Sequence, residues 1–375
     1  MQCPRCKTTD TKYFAKINGR YYCRRCIGFG RVFLDEKIIE DEHELIKKHV
    51  SYSLKFALSK AQLNLSKQLV ENYHNHQNSV ILAVCGSGKT EIVYEVIKEA
   101  LNAGQKVCFC MPRKALVMEL GDRIKKAFKL DDVRLGLFYG GHVDNLLQDF
   151  VICTTHQLFR FPKQFDLLIL DEIDAFPYAH NDLLEDLLFN SLKGNYIFMS
   201  ATLDPKKYPE AKVLILNRRY HLVALPIPQI CLCKRNQILL AKEYLLKWRK
   251  PTLVYVPRIK DLDLYDSYLS QFHYDKVSSK TRNVDVILNN LKTGKLDFIL
   301  TTTLLERGIT IEDVQVIVLQ ADHEVFSKEV LIQMAGRVGR HPKYPKGEVI
   351  FISKSASKAM LESIDMLNYL NQLDV

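Results

Sequence analysis

The chain has 375 residues, of which 47% are apolar and 26% charged, so it is long enough for two or three packed domains and too apolar to be mainly disordered. No apolar run approaches the ~18 residues that span a bilayer, and Met1-Gln2-Cys3-Pro4-Arg5-Cys6 lacks the apolar stretch of a secretory leader, which is therefore not expected. A net charge of +10 suits a polyanionic partner without requiring one.

That charge is unevenly placed. Residues 1–34 carry eight basic side chains, Arg5, Lys7, Lys12, Lys16, Arg20, Arg24, Arg25 and Arg31, against the single acid Asp10. The same segment holds Cys3-x-x-Cys6 and Cys23-x-x-Cys26, with sixteen residues between the pairs. Two such knuckles predict a Cys₄ zinc ribbon, structural rather than catalytic because thiolates fill all four positions around the ion. A segment this short cannot build a core unaided, so the metal would supply its folding energy. A redox pair or disulfides is the competing reading. Tyr13, Phe14, Tyr21 and Tyr22 can stack bases or simply pack a small core. Of ten cysteines, the other six (Cys85, Cys108, Cys110, Cys153, Cys231 and Cys233) lie mostly in apolar runs, which suits a reducing compartment.

An acidic, then amphipathic stretch follows from Asp35 to His49. From about residue 51 short apolar runs alternate with amphipathic helices, the pattern of parallel sheets buried on both faces. Strands are predicted at Val80–Cys85, Lys106–Met111, Phe150–Thr154, Asp166–Leu170, Tyr196–Met199 and Lys212–Leu216. A second series covers Thr252–Val256, Leu296–Thr301, Val314–Leu319 and Glu348–Ile352. Ile92, Val93, Val96, Ile97 and Ala100 form one helical stripe, with Gly104 suited to its C-cap. His74 and His76 read as loop residues before the first strand. Leu239–Leu246 reads as an amphipathic helix with Trp248 packing just beyond it. Between the two series Asn217–Ile230, with Pro226 and Pro228, reads as a linker. The expected division is a zinc module at 1–34, one α/β domain at 35–216 and another at 217–375.

Three motifs carry chemistry. Ala83-Val84-Cys85-Gly86-Ser87-Gly88-Lys89-Thr90 follows a predicted strand and opens a predicted helix, the context a phosphate loop needs. Gly86 and Gly88 let backbone N–H groups turn inward on phosphate. Lys89 reaches the β and γ phosphates, Thr90 places a hydroxyl on Mg²⁺, and the helix N-terminus adds partial positive charge. Ala83 stands where the first glycine of such loops is usual. The run Leu167–Leu170 ends in Asp171-Glu172, two carboxylates at the sheet edge where open α/β sheets bind ligands. Asp171 can hold Mg²⁺ and Glu172 can polarise an attacking water. In Gln333-Met334-Ala335-Gly336-Arg337-Val338-Gly339-Arg340, the two arginines are three apart and would share a helix face. An arginine beside a γ-phosphate stabilises transition-state charge.

With these in order, the chain resembles the superfamily 2 helicases over residues 51–353. Leu58-Ser59-Lys60-Ala61-Gln62 looks like the motif whose Gln reads adenine, and Ser200-Ala201-Thr202 like the motif linking hydrolysis to strand movement. Met111-Pro112-Arg113, Tyr139-Gly140-Gly141 and Thr154-Thr155-His156-Gln157 are similar to the first domain's nucleic-acid motifs. Thr301-Thr302-Thr303-Leu304-Leu305-Glu306-Arg307-Gly308 is similar to the second domain's motif joining nucleotide to strand. Asp174 stands where DEAH relatives have His, and Thr310 where many such motors have Asp. The four-Cys module ahead of the motor, Asp171-Glu172-Ile173-Asp174-Ala175-Phe176-Pro177 and Leu225-Pro226-x-Pro228 narrow the resemblance to the ComFA family, late-competence ATPases of DNA uptake related to PriA.

The resemblance implies two tandem RecA-like α/β domains, a superfamily 2 core with ATP in the cleft between them, preceded by the small Cys₄ ribbon. It implies ATP contacts from Gln62, Gly86, Ser87, Gly88, Lys89, Thr90 and Gly308. Lys89, Asp171, Glu172, Gln333, Arg337 and Arg340 would act in hydrolysis. The metals would be Mg²⁺ at Thr90 and Asp171 and Zn²⁺ at Cys3, Cys6, Cys23 and Cys26. Arg113, Tyr139, Gly140, Thr155, His156 and Thr302 would contact DNA. ATP closing the cleft and hydrolysis reopening it would drive movement along single-stranded DNA. Expected partners are single-stranded DNA, the membrane uptake channel and other late-competence proteins, from a cytoplasmic position at the inner face of the membrane. Two alternatives stand beside this: a PriA-like replication-restart helicase, and a nucleotide-gated DNA-binding scaffold whose ribbon supplies the affinity.

Overall fold

The apolar runs become two separate sheets in the computed structural model, which describes residues 1–37, 45–84, 86–175, 177–179, 181–219, 221–306 and 311–372. The chain forms two units. One comprises Met1–Leu82 and Gly88–Ile215, the other Ala83–Ser87 and Leu216–Val375.

The first unit opens with a hairpin, β1 (Phe14–Ile17) and β2 (Arg20–Cys23), paired antiparallel with Phe14 opposite Cys23. Asn18-Gly19 turns it with both residues at positive φ, 48° and 81°, the requirement of a two-residue turn matched to strand twist. Helix α1 (Lys60–His74) starts at a capping box. Ser59 Oγ accepts from the Gln62 backbone and Gln62 Oε1 accepts from the Ser59 backbone. His74 is therefore the last residue of a helix rather than part of a loop. Then follow β3 (Ser79–Ala83), α2 (Lys89–Ile92), α3 (Tyr94–Asn102), β4 (Val107–Met111), α4 (Lys114–Ala127), β5 (Leu135–Tyr139), β6 (His142–Val143) and β7 (Phe150–Thr154). The unit continues with β8 (Phe165–Asp171), α5 (Asp182–Ser191), β9 (Leu192–Ser200) and the edge strand β10 (Lys212–Leu216).

Gly104, at φ 79°, ends α3 in a Schellman motif. Its N–H donates to Leu101 O and that of Gln105 to Ala100 O. The strand order is β10-β3-β9-β8-β4-β7-β5-β6. The pairs from β3 through β5 are parallel, and β5–β6 is an antiparallel hairpin. Strands β4 and β7 are buried along their whole length, which explains their unbroken apolar sequences.

The second unit contains β11 (Gln229–Leu232), α6 (Gln237–Trp248), β12 (Thr252–Tyr255), β13 (Tyr274–Val277), α7 (Val284–Lys292), β14 (Phe298–Thr301), β15 (Gln315–Leu319), α8 (Lys328–Ala335), β16 (Val349–Ser353) and α9 (Lys358–Gln372). Its order is β11-β16-β15-β12-β14-β13, with every pair parallel. Trp248 closes α6 itself, buried, with Nε1 donating to Glu348 Oε1 at 2.8 Å.

Four strands depart from expectation. β5 carries Gly136, a strand-weakening residue that is needed here because a Cβ would lie 2.6 Å from Gln148 and 2.8 Å from Phe138. β6 is two residues long, and β11 and β13 lie at the two edges of the second sheet, where one face stays polar and the apolar signal fades. The segment read as a linker, 217–230, is packed only in part, with Leu225 and Pro228 buried and Leu222 62% exposed. Asn217 and Arg219 are each 1% exposed, and Gln229 already belongs to β11. No described helix is long and apolar enough to cross a membrane.

One buried charge ties Lys48 and Arg134 to the start of β7. Asp149, just ahead of β7, receives Lys48 at 2.6 Å, the Arg134 guanidinium at 3.1 Å and the Arg134 backbone N–H at 2.9 Å. Burial alone would raise the Asp149 carboxyl, but these cations and hydrogen bonds more than offset it and hold it well below the usual carboxylate range. A depressed carboxyl stabilises above its unfolded pKa of about 4 and loses that contribution as pH falls toward its folded value. Asp149→Asn should therefore cost about 1–3 kcal/mol in urea unfolding at pH 7. The gap from wild type should narrow below about pH 4. A pH-independent gap would refute the assignment.

Candidate functional site

The C-terminal edge of the first sheet collects most of the residues singled out by sequence. Three adjacent strands, β3, β9 and β8, deliver one set. The loop Gly86–Gly88 leaves β3 with both glycines left-handed, at φ 81° and 77°, and Lys89 opens α2. Lys89 Nζ lies 3.8 Å from Asp171 Oδ1, where β8 ends. Thr90 and Asp171 are 8% and 7% exposed, so both oxygens sit inside the site and not on its rim. Glu172 follows at φ 57°, a left-handed conformation that is uncommon outside glycine, and its N–H donates to Asp171 Oδ1 at 2.9 Å. Gln62, 2% exposed and fixed by its capping box, stands over Gly88. A Cβ there would come within 2.5 Å of Gln62 Nε2, and at φ 77° any other side chain would be strained.

At the end of β9, Ser200 Oγ accepts from the backbones of Thr202 and Leu203, both at 2.9 Å. Thr202 Oγ1 donates to Asp174 Oδ2 at 2.5 Å, joining this strand end to the loop after β8. The acid at position 174 thus has a definite partner where a histidine stands in DEAH relatives.

The next three strands, β4, β7 and β5, deliver the second set. Arg113 stands at the N-cap position of α4, just past β4. Tyr139 ends β5, its ring stacked on His142 at 5.0 Å with Lys114 Nζ 4.9 Å from the ring centre, and Gly140 is exposed in the following turn. Thr155 and His156 begin a 3₁₀ helix, Thr155–Arg160, directly after β7. Thr155 is fully buried, so its side chain packs inward and does not present to a strand. Burial lowers the His156 pKa.

In the second unit Thr302 follows β14, half-buried, and Gly308 lies outside the described residues, as does Arg307. Gln333 is on α8, but that helix ends at Ala335. Arg337 and Arg340 therefore lie in a turn, not on one helical face. Arg337 is 3% exposed, and Arg340 Nε donates to Gly336 O at 2.8 Å. The turn is held by Arg219, whose guanidinium donates to Val338 O at 2.5 Å and Gly336 O at 3.0 Å, and by the His221 ring against Gly339 O at 2.8 Å. Gly339, at φ 70°, is required because a Cβ would meet Pro345 O at 2.5 Å. Arg219 escapes a sequence reading because a charged residue near prolines looks solvated.

The four cysteines of the hairpin module come together. Their sulfurs all lie within 4.8 Å of one another and are fully buried, with Cys3–Cys26 at 3.8 Å and Cys6–Cys23 at 3.7 Å. These are not disulfide distances. Four thiolates about 2.3 Å from one tetrahedral ion would stand about 3.8 Å apart, so the donor set fits zinc. Of the surrounding aromatics, Phe14 packs inward and Tyr22 lies edge-on to Phe33 at 6.5 Å, while Tyr21 is exposed.

Comparisons with known proteins agree with this geometry. The DEAD/DEAH box helicase family model matches residues 61–210, and the helicase conserved C-terminal domain matches residues 236–342. The chain is 33% identical to competence protein ComFA of Bacillus subtilis, over 99% of this chain and 86% of that protein. It is 34% identical to ComFA of Streptococcus pneumoniae, over 99% and 90%. The solved structure of S. cerevisiae Dbp5 bound to RNA and ADP BeF3 superposes with a TM-score of 0.57 at 16% identity, covering 84% of this chain and 92% of that one, which speaks for the fold alone.

Elemental analysis of the purified chain should find one zinc per molecule. Cys3→Ser with Cys6→Ser should lose it, and should lower the thermal transition of the first unit. Full zinc occupancy in that double variant would refute the site.

Proposed function

The chain belongs to the ComFA family of superfamily 2 helicases, and we propose that it hydrolyses ATP to move along single-stranded DNA, powering uptake of transforming DNA. The coarser activity, that of an ATP-dependent DNA helicase or translocase, follows from that membership. The single-stranded substrate and the uptake role are the proposed part. One observation carries the reading: Gly88, Lys89 and Thr90 of the phosphate loop, the acid pair and a set of cationic and aromatic strand-end residues share one sheet edge in the first unit.

Each residue then takes a role. Backbone N–H groups of Gly86, Ser87 and Gly88 cradle phosphate, and Lys89 neutralises the β and γ oxygens. Thr90 and Asp171 would hold Mg²⁺, which when bound neutralises charge on the phosphates. Glu172 orients and polarises the attacking water. Gln62 hydrogen-bonds the adenine edge. Arg337 and Arg340 stabilise the charge that builds on the transferred phosphoryl group, with Gln333 and Gly308 serving the same nucleotide. On the strand side Arg113 takes phosphate, Tyr139 stacks, and Gly140 and His156 line the path, while Thr302 of the second unit is a DNA contact of its own. Thr155 supports this path from beneath.

We propose as partners the membrane uptake channel and other late-competence proteins, met at the inner face of the membrane, a reading that the family membership supports. ATPase activity of the wild-type chain should rise with single-stranded DNA. Glu172→Gln should cut kcat by about 10²–10⁴-fold while leaving DNA binding in low salt intact. Strand binding that never stimulates hydrolysis would overturn the motor in favour of a nucleotide-gated scaffold.

A further inference from the structure

The four-cysteine module is not tethered at arm's length. It is seated on two elements of the first unit: α5 and the 3₁₀ helix Thr155–Arg160. Asp186 and Asn190 lie four apart on α5 and so share a face. Arg25, between the second pair of cysteines, forms an ion pair with Asp186, and its side chain is only 19% exposed. The same guanidinium donates to Cys6 O at 3.5 Å, so it spans the first knuckle and the helix. Asn190 Nδ2 donates to Arg5 O at 2.9 Å and Pro4 O at 3.4 Å, in the first knuckle itself.

The other contact is aromatic. Phe29, just past the second knuckle, lies 5.1 Å from the Phe159 ring and 6.2 Å from His156. Arg5 and Arg160 both stand over Phe159, at 5.5 and 4.7 Å. Arg5 in turn donates to Gly30 O at 2.8 Å. The ribbon's cysteines and Val32 share a buried cluster with Leu158, Phe161, Leu184, Leu187 and Leu188.

We propose that the zinc module is a brace for the strand-contact turn at Thr155–Arg160, with Arg25, Phe29, Asp186 and Asn190 acting as positioning residues. A 3₁₀ helix of six residues has poor internal hydrogen-bond geometry and does not hold its shape alone. The ribbon supplies a rigid surface against its exposed side. Two of the basic residues around the knuckles, Arg5 and Arg25, are then committed to the seating, not to phosphate. The strand-binding part of this inference rests on the single-stranded DNA reading above.

The test exchanges the charges of one ion pair in the full, zinc-loaded chain. Arg25→Asp should keep its zinc, speed amide exchange in residues 155–160 and weaken single-stranded DNA binding by about tenfold in anisotropy titrations. Adding Asp186→Arg should restore exchange protection and affinity, although the charge at position 25 stays reversed. A double variant as weak as Arg25→Asp would mean that Arg25 meets phosphate directly, and the brace would be wrong. Unchanged exchange and affinity in Arg25→Asp, or in Phe29→Ala as an uncharged check, would also overturn it. Should the wild type bind no single-stranded DNA, the substrate reading falls, while amide exchange still decides whether the brace exists.

Discussion

Parallel pairing constrains most of what this protein can do. A strand reaches a parallel neighbour only through a crossover, so every parallel strand of the first sheet ends on the same edge and hands the chain to a loop there. Residues far apart in sequence, from Gly88 to Thr202, converge because six neighbouring strands end together. The order β3-β9-β8-β4-β7-β5 also sorts them. The three strands on one side end in the phosphate loop, Thr202 and the Asp171-Glu172 pair. The three on the other end near Arg113, His156 and Tyr139. Strands β8 and β4 meet at the centre, so the Asp171-Glu172 pair and Arg113 follow neighbouring strand ends, with Leu170 opposite Cys110. The same constraint accounts for Cys108, Cys110 and Cys153, which are buried in adjacent strands as small apolar side chains.

What was legible in the sequence follows the strength of the burial signal. Phe150–Thr154 was predicted to the residue because a buried strand must be apolar throughout, Lys212–Leu216 to the residue although Lys212, Val213 and Ile215 are exposed, and the other eight strands within a few positions. The phosphate loop was legible because it needs two glycines at positive φ beside a lysine, a combination with few other uses. Edge strands such as Tyr274–Val277 were not, since a strand with one wet side has the composition of a loop. The buried position of Thr155 was also hidden. A motif fixes where a residue falls in the chain, but not which way it turns in a short 3₁₀ helix.

The ribbon shows a different limit. Its cysteine spacing announces a metal site, but its charge is ambiguous. Eight basic residues in 1–34 read naturally as a phosphate-binding surface. The structure divides them. Arg20 pairs with Asp35, Lys12 with Asp10 and Arg25 with Asp186, while Arg5 bonds backbone carbonyls across the two knuckles. Net charge is a property of the segment, whereas availability to a partner belongs to each side chain. No count of lysines and arginines separates the two.

The arginine turn makes the same distinction on a buried scale. A helix through Arg340 would have satisfied its carbonyls internally and aimed both arginines along one face. The helix instead stops at Ala335, leaving Gly336 and Val338 with carbonyls that need outside donors. Arg219 meets both with one planar group. Two diverging donors held by a rigid fork fit this task, and an ammonium on a flexible stem does not offer the same geometry. An apolar side chain would leave Val338 O unpaired, at about 1–3 kcal/mol, and Gly336 O with the Arg340 Nε donor alone. The residue that sets the arginine turn thus lies more than a hundred positions upstream, three residues past β10. It is found by asking where orphaned carbonyls go, since no motif covering residues 333–340 contains it.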